Sequence, residues 1–219
     1  MTTFPNSPKL LKAGLILMDP DSGAIERVIA LQYNPETLTR SLVVQAVGTD
    51  TADRSQALRL KGPPVETMKL EATIDATDQL EFPDQNQITT QLGIRPQLAA
   101  IETIIYPASS HLQSNNQIAQ MGTLEIVPME APLVLFSLGK NLLAPVRLTE
   151  FSIIEEAYDP NLNPILAKIS LGLRVLSIDD VDYDPKTGSL FLIYQQQKER
   201  MANQAAGATF GALGLGGIP

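Results

Sequence analysis

Three groups of carboxylates are the side chains in this sequence best suited to chemistry: Asp75, Asp78, Glu81 and Asp84; Glu155, Glu156 and Asp159; and Asp179, Asp180, Asp182 and Asp184. Paired carboxylates do general acid–base work or hold a hard cation. The third group has the alternating-aspartate opening of a calcium loop at Asp180, Asp182 and Asp184. The sixth position of such a loop needs glycine for its sharp turn and the twelfth a bidentate glutamate. Here those positions are Pro185 and Phe191, so the carboxylates read as solvated turn residues and no metal site is expected. A glycosidase needs two carboxylates facing across a cleft. Five Tyr, six Phe and no Trp provide few aromatic platforms for a sugar.

His111 is the only histidine, and there is no cysteine. That composition excludes disulfides, thiol nucleophiles, thiolate zinc sites and iron–sulfur ligation. His111 follows Ser109 and Ser110 in a polar stretch after Pro107, read as a solvent-exposed loop. No third orienting group or nucleophile-elbow motif accompanies it, so no catalytic residue is assigned. The glycines of Gly211–Gly217 have neither a strand before them nor a helix after them, as a phosphate cradle would require. No cofactor is expected.

The elements that position these residues read mainly as strands. The chain has 219 residues, 44% of them hydrophobic and 18% charged, enough for a packed core. Its formal charge of −8 argues against nucleic acid as a partner, which calls for a basic face. The N-terminus lacks the pattern of a secretory signal, and no apolar run approaches the ~20 residues that span a bilayer. A cytoplasmic protein without direct membrane insertion is the resulting expectation.

Candidate strands are Leu10–Met18 and Ile25–Tyr33, joined by a turn at 19–23, then Leu38–Gln45 after Asn34-Pro35-Glu36. In Glu66–Asp75, Met68, Leu70, Ala72 and Ile74 alternate with Lys69, Glu71, Thr73 and Asp75, which puts one face on a core and the other in water. Ile165–Val175 alternates in the same way. Leu133–Leu138 is nearly continuous in apolar residues, as in a strand covered on both faces. In Val146–Glu156 the apolar phase shifts from Val146 and Leu148 to Phe151 and Ile153, which predicts a bulge near Thr149–Glu150. One inserted helix is expected over Pro96–Ile105, with Leu98, Ile101 and Ile105 on its apolar face. A C-terminal helix is expected over Ser189–Asn203, followed by a Gly-rich tail. The fold class is mainly β, an antiparallel barrel or sandwich, with a β domain over 1–188 and the helix and tail over 189–219.

Three segments carry a resemblance: LQYNPETLTRSL at 31–42, LRLKGPPVETMKLEATIDATDQLE at 58–81 and RLTEFSIIEEAYDPNLNPILAKISLGLRVL at 147–176. Together they resemble the tube-like domain of contractile injection system proteins, in particular the LysM-bearing inner baseplate protein. The resemblance covers about residues 10–185. It implies a β domain that assembles with itself in a symmetric ring, a structural adaptor or tube initiator that joins the central spike to the inner tube. Its partners would be inner tube, spike and baseplate wedge proteins. It also implies a hydrated, acidic channel lined by the polar face of strand 66–75 or 165–175. Residues 189–219 are too few for the LysM module, so anchoring through that module is not expected of this sequence. A phage tail tube or terminator protein shares the architecture, and a carbohydrate- or small-molecule-binding β domain is the reading from another class.

Six residues are candidates for subunit or partner contact. Asn34 and Pro35 form a turn that either gives the chain its shape or makes a corner at a subunit boundary, and both roles are compatible. Asp50 and Arg54 lie in the polar stretch Gly48–Ala57, an exposed loop whose length suggests contact with the adjacent ring or wedge more than an idle loop. Phe191 and Tyr194 belong to a helix apolar around much of its girth, suited to packing within the subunit or docking on a neighbour.

Overall fold

The computed structural model describes residues 11–20, 22–46, 59–120, 131–180, 185–214 and 216–217, without the side chains of 185–187. Seven strands form one sheet: β1 (Gly14–Met18), β2 (Ile25–Ala30), β3 (Leu38–Val43), β4 (Val65–Asp75), β5 (Leu133–Ser137), β6 (Leu143–Tyr158) and β7 (Pro164–Val175). Their order is β2-β1-β5-β6-β7-β4-β3, and every pairing is antiparallel. The chain first lays down the β1–β2 hairpin at one end of the sheet and β3–β4 at the other. The β5–β6–β7 meander then fills the middle. The expected mainly β, antiparallel class holds, with β2 and β3 at the margins.

One core takes side chains from both halves of the sheet. Leu15 and Leu17 of β1 and Val134 and Phe136 of β5 join Met68 and Leu70 of β4 and Ile169, Leu171 and Leu173 of β7. The sheet therefore curls to enclose a single apolar interior. The alternation in β4 and β7 dictates this, since residues two apart share a face. Met68, Leu70, Ala72 and Ile74 are buried, with Lys69 and Glu71 exposed on the opposite face. The bulge lies where the apolar phase shifts: Leu148 faces Leu173 and Glu150 faces Gly172, leaving Thr149 as the extra residue.

Among the described residues, the insertion between β4 and β5 holds four short helices where one is expected: α1 (Thr77–Leu80), α2 (Gln87–Leu92), α3 (Arg95–Glu102) and α4 (Ser109–Gln120). α3 seals the core with Leu98 and Ile101. Ile105 was expected on that face, but the helix ends at Glu102 and the turn beyond it buries Ile104 instead. Gly93 makes the docking of this segment possible. At φ +61° its backbone passes so close to Pro164 O that a Cβ would overlap it, and Ile94 N–H then donates to the same carbonyl at 2.8 Å.

The C-terminal helix α5 runs over Pro185–Gln204, starting four residues before the expected Ser189. Proline suits a first helical turn because its missing N–H has no partner there anyway. Beyond it, Phe210–Leu213 forms an exposed 3-10 turn.

Candidate functional site

Glu66 continues the buried side of β4, in phase with Met68 and Leu70, and is only 3% exposed. A carboxylate there must be paired or neutral, because its desolvation is costly. Three side chains from two other elements meet it. From β3, Arg40 donates to Oε1 through Nε at 2.9 Å and Nη2 at 2.5 Å. From α5, the Tyr194 hydroxyl donates to Oε1 at 2.9 Å and Lys198 Nζ to Oε2 at 2.7 Å. Lys198 also stands 4.0 Å above the Tyr194 ring. Burial pushes the Glu66 carboxyl up, but hydrogen bonds and charge from Lys198 and Arg40 outweigh it and hold the group below the usual range. The Tyr194 phenol is raised by burial and by the adjacent Glu66 charge. The cluster thus fastens α5 to the sheet, helped by Phe191, which packs partly buried against the core.

Among the sequence candidates, Tyr194 is therefore held within the subunit, while Leu192, Ile193 and Met201 of that helix are exposed. Asn34 reaches back to the start of β1: its Oδ1 accepts from Ala13 N–H and its Nδ2 donates to Leu11 O, both at 2.8 Å. Pro35, half-buried, follows it in the turn. Gln32 makes the same kind of bracket on β4, donating to Asp75 O at 2.6 Å and accepting from Asp75 N–H at 2.9 Å. These two amides take the place of backbone partners at the ends of β1 and β4. Asp50 and Arg54 lie outside the described residues.

The carboxylate groups do not converge. Asp75 accepts from Thr77 at the start of α1. Glu156 pairs with Lys168 at 2.7 Å, and Glu155 accepts from the Tyr158 hydroxyl. Asp159 closes the β6–β7 turn, and hydrogen bonds from the Asn163 side chain and backbone hold its carboxyl low. Asp180 caps Ser177 and pairs with Arg174, while Asp182 and Asp184 lie outside the described residues. No group of three or more metal-ligating side chains occurs among the described residues. His111 is not in a loop: it sits on α4, in a stretch with no glycine or proline to break a helix. It lines a groove of about 1270 Å³ with Arg27, Thr103, Tyr106 and Asn115, where Glu26 is the one carboxylate among the described residues.

The polar side of β4, β7 and β6 differs from the acidic surface expected. Lys69, Arg147, Lys168 and Arg174 stand among Glu71, Glu150, Glu156 and Asp75, so the face is charge-balanced. Glu66, the remaining carboxylate of that stretch of β4, is on the buried side. Hydroxyls from Thr67, Thr73, Ser152 and Ser170 fill the spaces between charges.

The sheet margins are the exposed apolar feature. Among the described residues, β2 has β1 on one side and no strand on the other, with Ile25 and Val28 64% and 62% exposed. Among the described residues β3 is likewise bordered only by β4, and Leu42, Val43 and the following Val44 are exposed. Sequence periodicity does not reveal a margin, because strand order is a property of the whole sheet. No helix among the described residues is long and apolar enough to cross a membrane.

No protein-family model matches this chain, and no curated protein matches it significantly. Among solved structures, it is similar to a chain in the tail of an empty gene transfer agent particle refined with C6 symmetry. That match has 14% identity, a TM-score of 0.28, and coverage of 75% of this chain and 90% of the other. A chain in the virion of a native gene transfer agent particle matches with 14% identity, a TM-score of 0.26 and coverage of 74% and 90%.

Proposed function

We propose that this chain is a non-enzymatic structural subunit that assembles with itself in a ring, as an adaptor or tube initiator between spike and inner tube in a contractile injection system baseplate. The observation that carries the reading is the pair of sheet margins, at opposite ends of one sheet, that no strand among the described residues covers, each with exposed aliphatic residues. An open edge with apolar side chains is a template for pairing with another chain. Two different margins meeting head to tail generate a heterologous contact, which closes into a ring when the rotation per subunit allows. The three segments that resemble the tube-like domain overlap β3, β4, β6 and β7, the strands that form the polar face. In such a ring that face would line a hydrated channel. The assembled particle would form in the cytoplasm, with wedge proteins on its periphery.

Co-expression with candidate tube and spike proteins, followed by size-exclusion chromatography and negative-stain imaging, tests the reading. Annular particles containing this chain are expected. A chain that remains separate from both proteins at low salt, and forms no ring by itself at high concentration, would overturn it.

A further inference from the structure

The geometry points to a binding site for a phosphate-class oxyanion on the polar face of the sheet, between Arg147 of β6 and Arg174 of β7. These two residues are directly opposite each other in register. Opposed Cα atoms in an antiparallel pair lie about 4.5–5.5 Å apart, and like charges placed so are destabilising. The row continues through Thr67 of β4 to Ser41 of β3, so two hydroxyl-bearing residues extend it.

Among the described residues, the ion pairs around this row leave the Arg147 charge without a partner. Lys69 pairs with Glu150 and Lys168 with Glu156 on the same face. Arg174 gives Nη2 to Asp180 Oδ1, but its Nε–H is covered and has no acceptor. Arg147 is exposed, and among the described residues its guanidinium has no ion pair. Asp180 thus offsets one of two opposed cations, and Glu150, the nearest other carboxylate along β6, is engaged by Lys69. Asp179, in the same turn as Asp180, has its carboxylate against Gly62. A tetrahedral oxyanion is the ligand chemistry that fits. It accepts hydrogen bonds from the open fork of Arg147 and from the Arg174 nitrogen that Asp180 leaves free, and neutralises the repulsion between the two cations. The inference does not require ring assembly, and its failure would leave the proposed function standing.

Inorganic phosphate titrated into the full chain at constant ionic strength tests it, read by the side-chain Nε–H NMR signals of arginine. Saturable shifts of the Arg147 and Arg174 signals are expected, weakened at least tenfold by Arg147→Gln and held within twofold by Lys69→Gln. Arg147 is exposed, so its replacement leaves the fold intact, and the backbone spectrum verifies that. Arg147→Lys keeps the charge without the fork and is expected to weaken binding severalfold. A linear drift without saturation, or equal affinity in the wild type and Arg147→Gln, would overturn the site. Equal saturable binding of planar, monovalent nitrate would overturn it too, reducing the row to diffuse charge.

Discussion

Lys69 Nζ contacts Glu150 Oε2 at 2.9 Å although their strands are not neighbours, because β7 lies between them and Gly172 occupies the intervening position. Gly172 faces Lys69 on one side and Glu150 on the other, so its missing side chain opens the path for the ion pair. It also admits the bulge. A Cβ at position 172 would lie 2.8 Å from Glu150 Cβ and 3.2 Å from Thr149 Oγ1. Replacing a strand glycine by alanine ordinarily stabilises through reduced chain entropy. Here Gly172→Ala is expected to destabilise by about 1–3 kcal/mol, the range for overpacking. The exposed ion pair itself contributes little, so Lys69→Met is expected to cost at most about 1 kcal/mol. Urea denaturation of both variants checks the ranking. Equal effects would mean that the contact, and not the close approach, governs this position.

Glu66 yields a sharper test. Removing it leaves Arg40 and Lys198 facing each other beside an apolar strand, and breaking a buried pair costs about 3–5 kcal/mol. Both cations here are about one-third exposed and regain some hydration. Glu66→Gln is therefore expected at or just below the bottom of that range, near 2–3 kcal/mol, a drop in Tm of roughly 5–10 °C for a chain of this size. Proteolysis should then cut within α5 before the sheet, since the cluster is its main polar fastening.

The same cluster sets a pH dependence. The folded carboxyl of Glu66 lies below its ordinary value, so its protonation opposes folding. Its contribution is fully present above the unfolded pKa of about 4.3 and is lost as pH falls toward the lower folded value. The stability gap between wild type and Glu66→Gln is expected to be constant from pH 6 to 8 and to narrow below about pH 4. Denaturant midpoints across that range measure it. A gap that widened in acid would contradict the assigned charge state.

Asn34 illustrates a turn residue whose amide also pairs with distant backbone. Its two hydrogen bonds to Leu11 and Ala13 supply a donor and an acceptor that no strand provides there. Asn34→Ala is expected to cost about 1–2 kcal/mol, and Asn34→Asp less, since the acceptor for Ala13 N–H survives. Hydrogen exchange at Ala13 separates the variants: faster in the alanine variant, near wild type in the aspartate one.

How much of this was legible in the sequence depends on the range of the interaction responsible. The strands β4 and β7 and the bulge at Thr149 are visible because side-chain alternation is local and a bulge interrupts it. Glu66 sits in the middle of that legible strand, yet its place in the buried row has meaning only once Arg40, Tyr194 and Lys198 arrive from other elements. α4 escapes because Ser and Asn weaken its helix propensity and all twelve of its residues are exposed, leaving no apolar face to detect. Ile104 displaces Ile105 from the core because helix ends tighten into turns that no 3.6-residue pattern tracks.

The unpartnered margins carry the last prediction. Val28 on β2 and Val43 on β3 are each 62% exposed, so replacing them with lysine removes little buried area. Lysine on an edge strand is a device that blocks pairing between chains. Val28→Lys and Val43→Lys are each expected to leave Tm within about 2 °C of wild type, as surface substitutions do, while abolishing ring formation. Because a heterologous contact uses one margin from each neighbour, a mixture of the two variants still offers one unaltered β2 and one unaltered β3. Such a mixture is expected to form pairs and to stop there, since the second contact is blocked on both remaining margins. Analytical ultracentrifugation of each variant and of the mixture reads this directly. Dimers in the mixture with monomers in each separate sample identify the β2–β3 contact; full rings from either variant alone would place the assembly surface elsewhere.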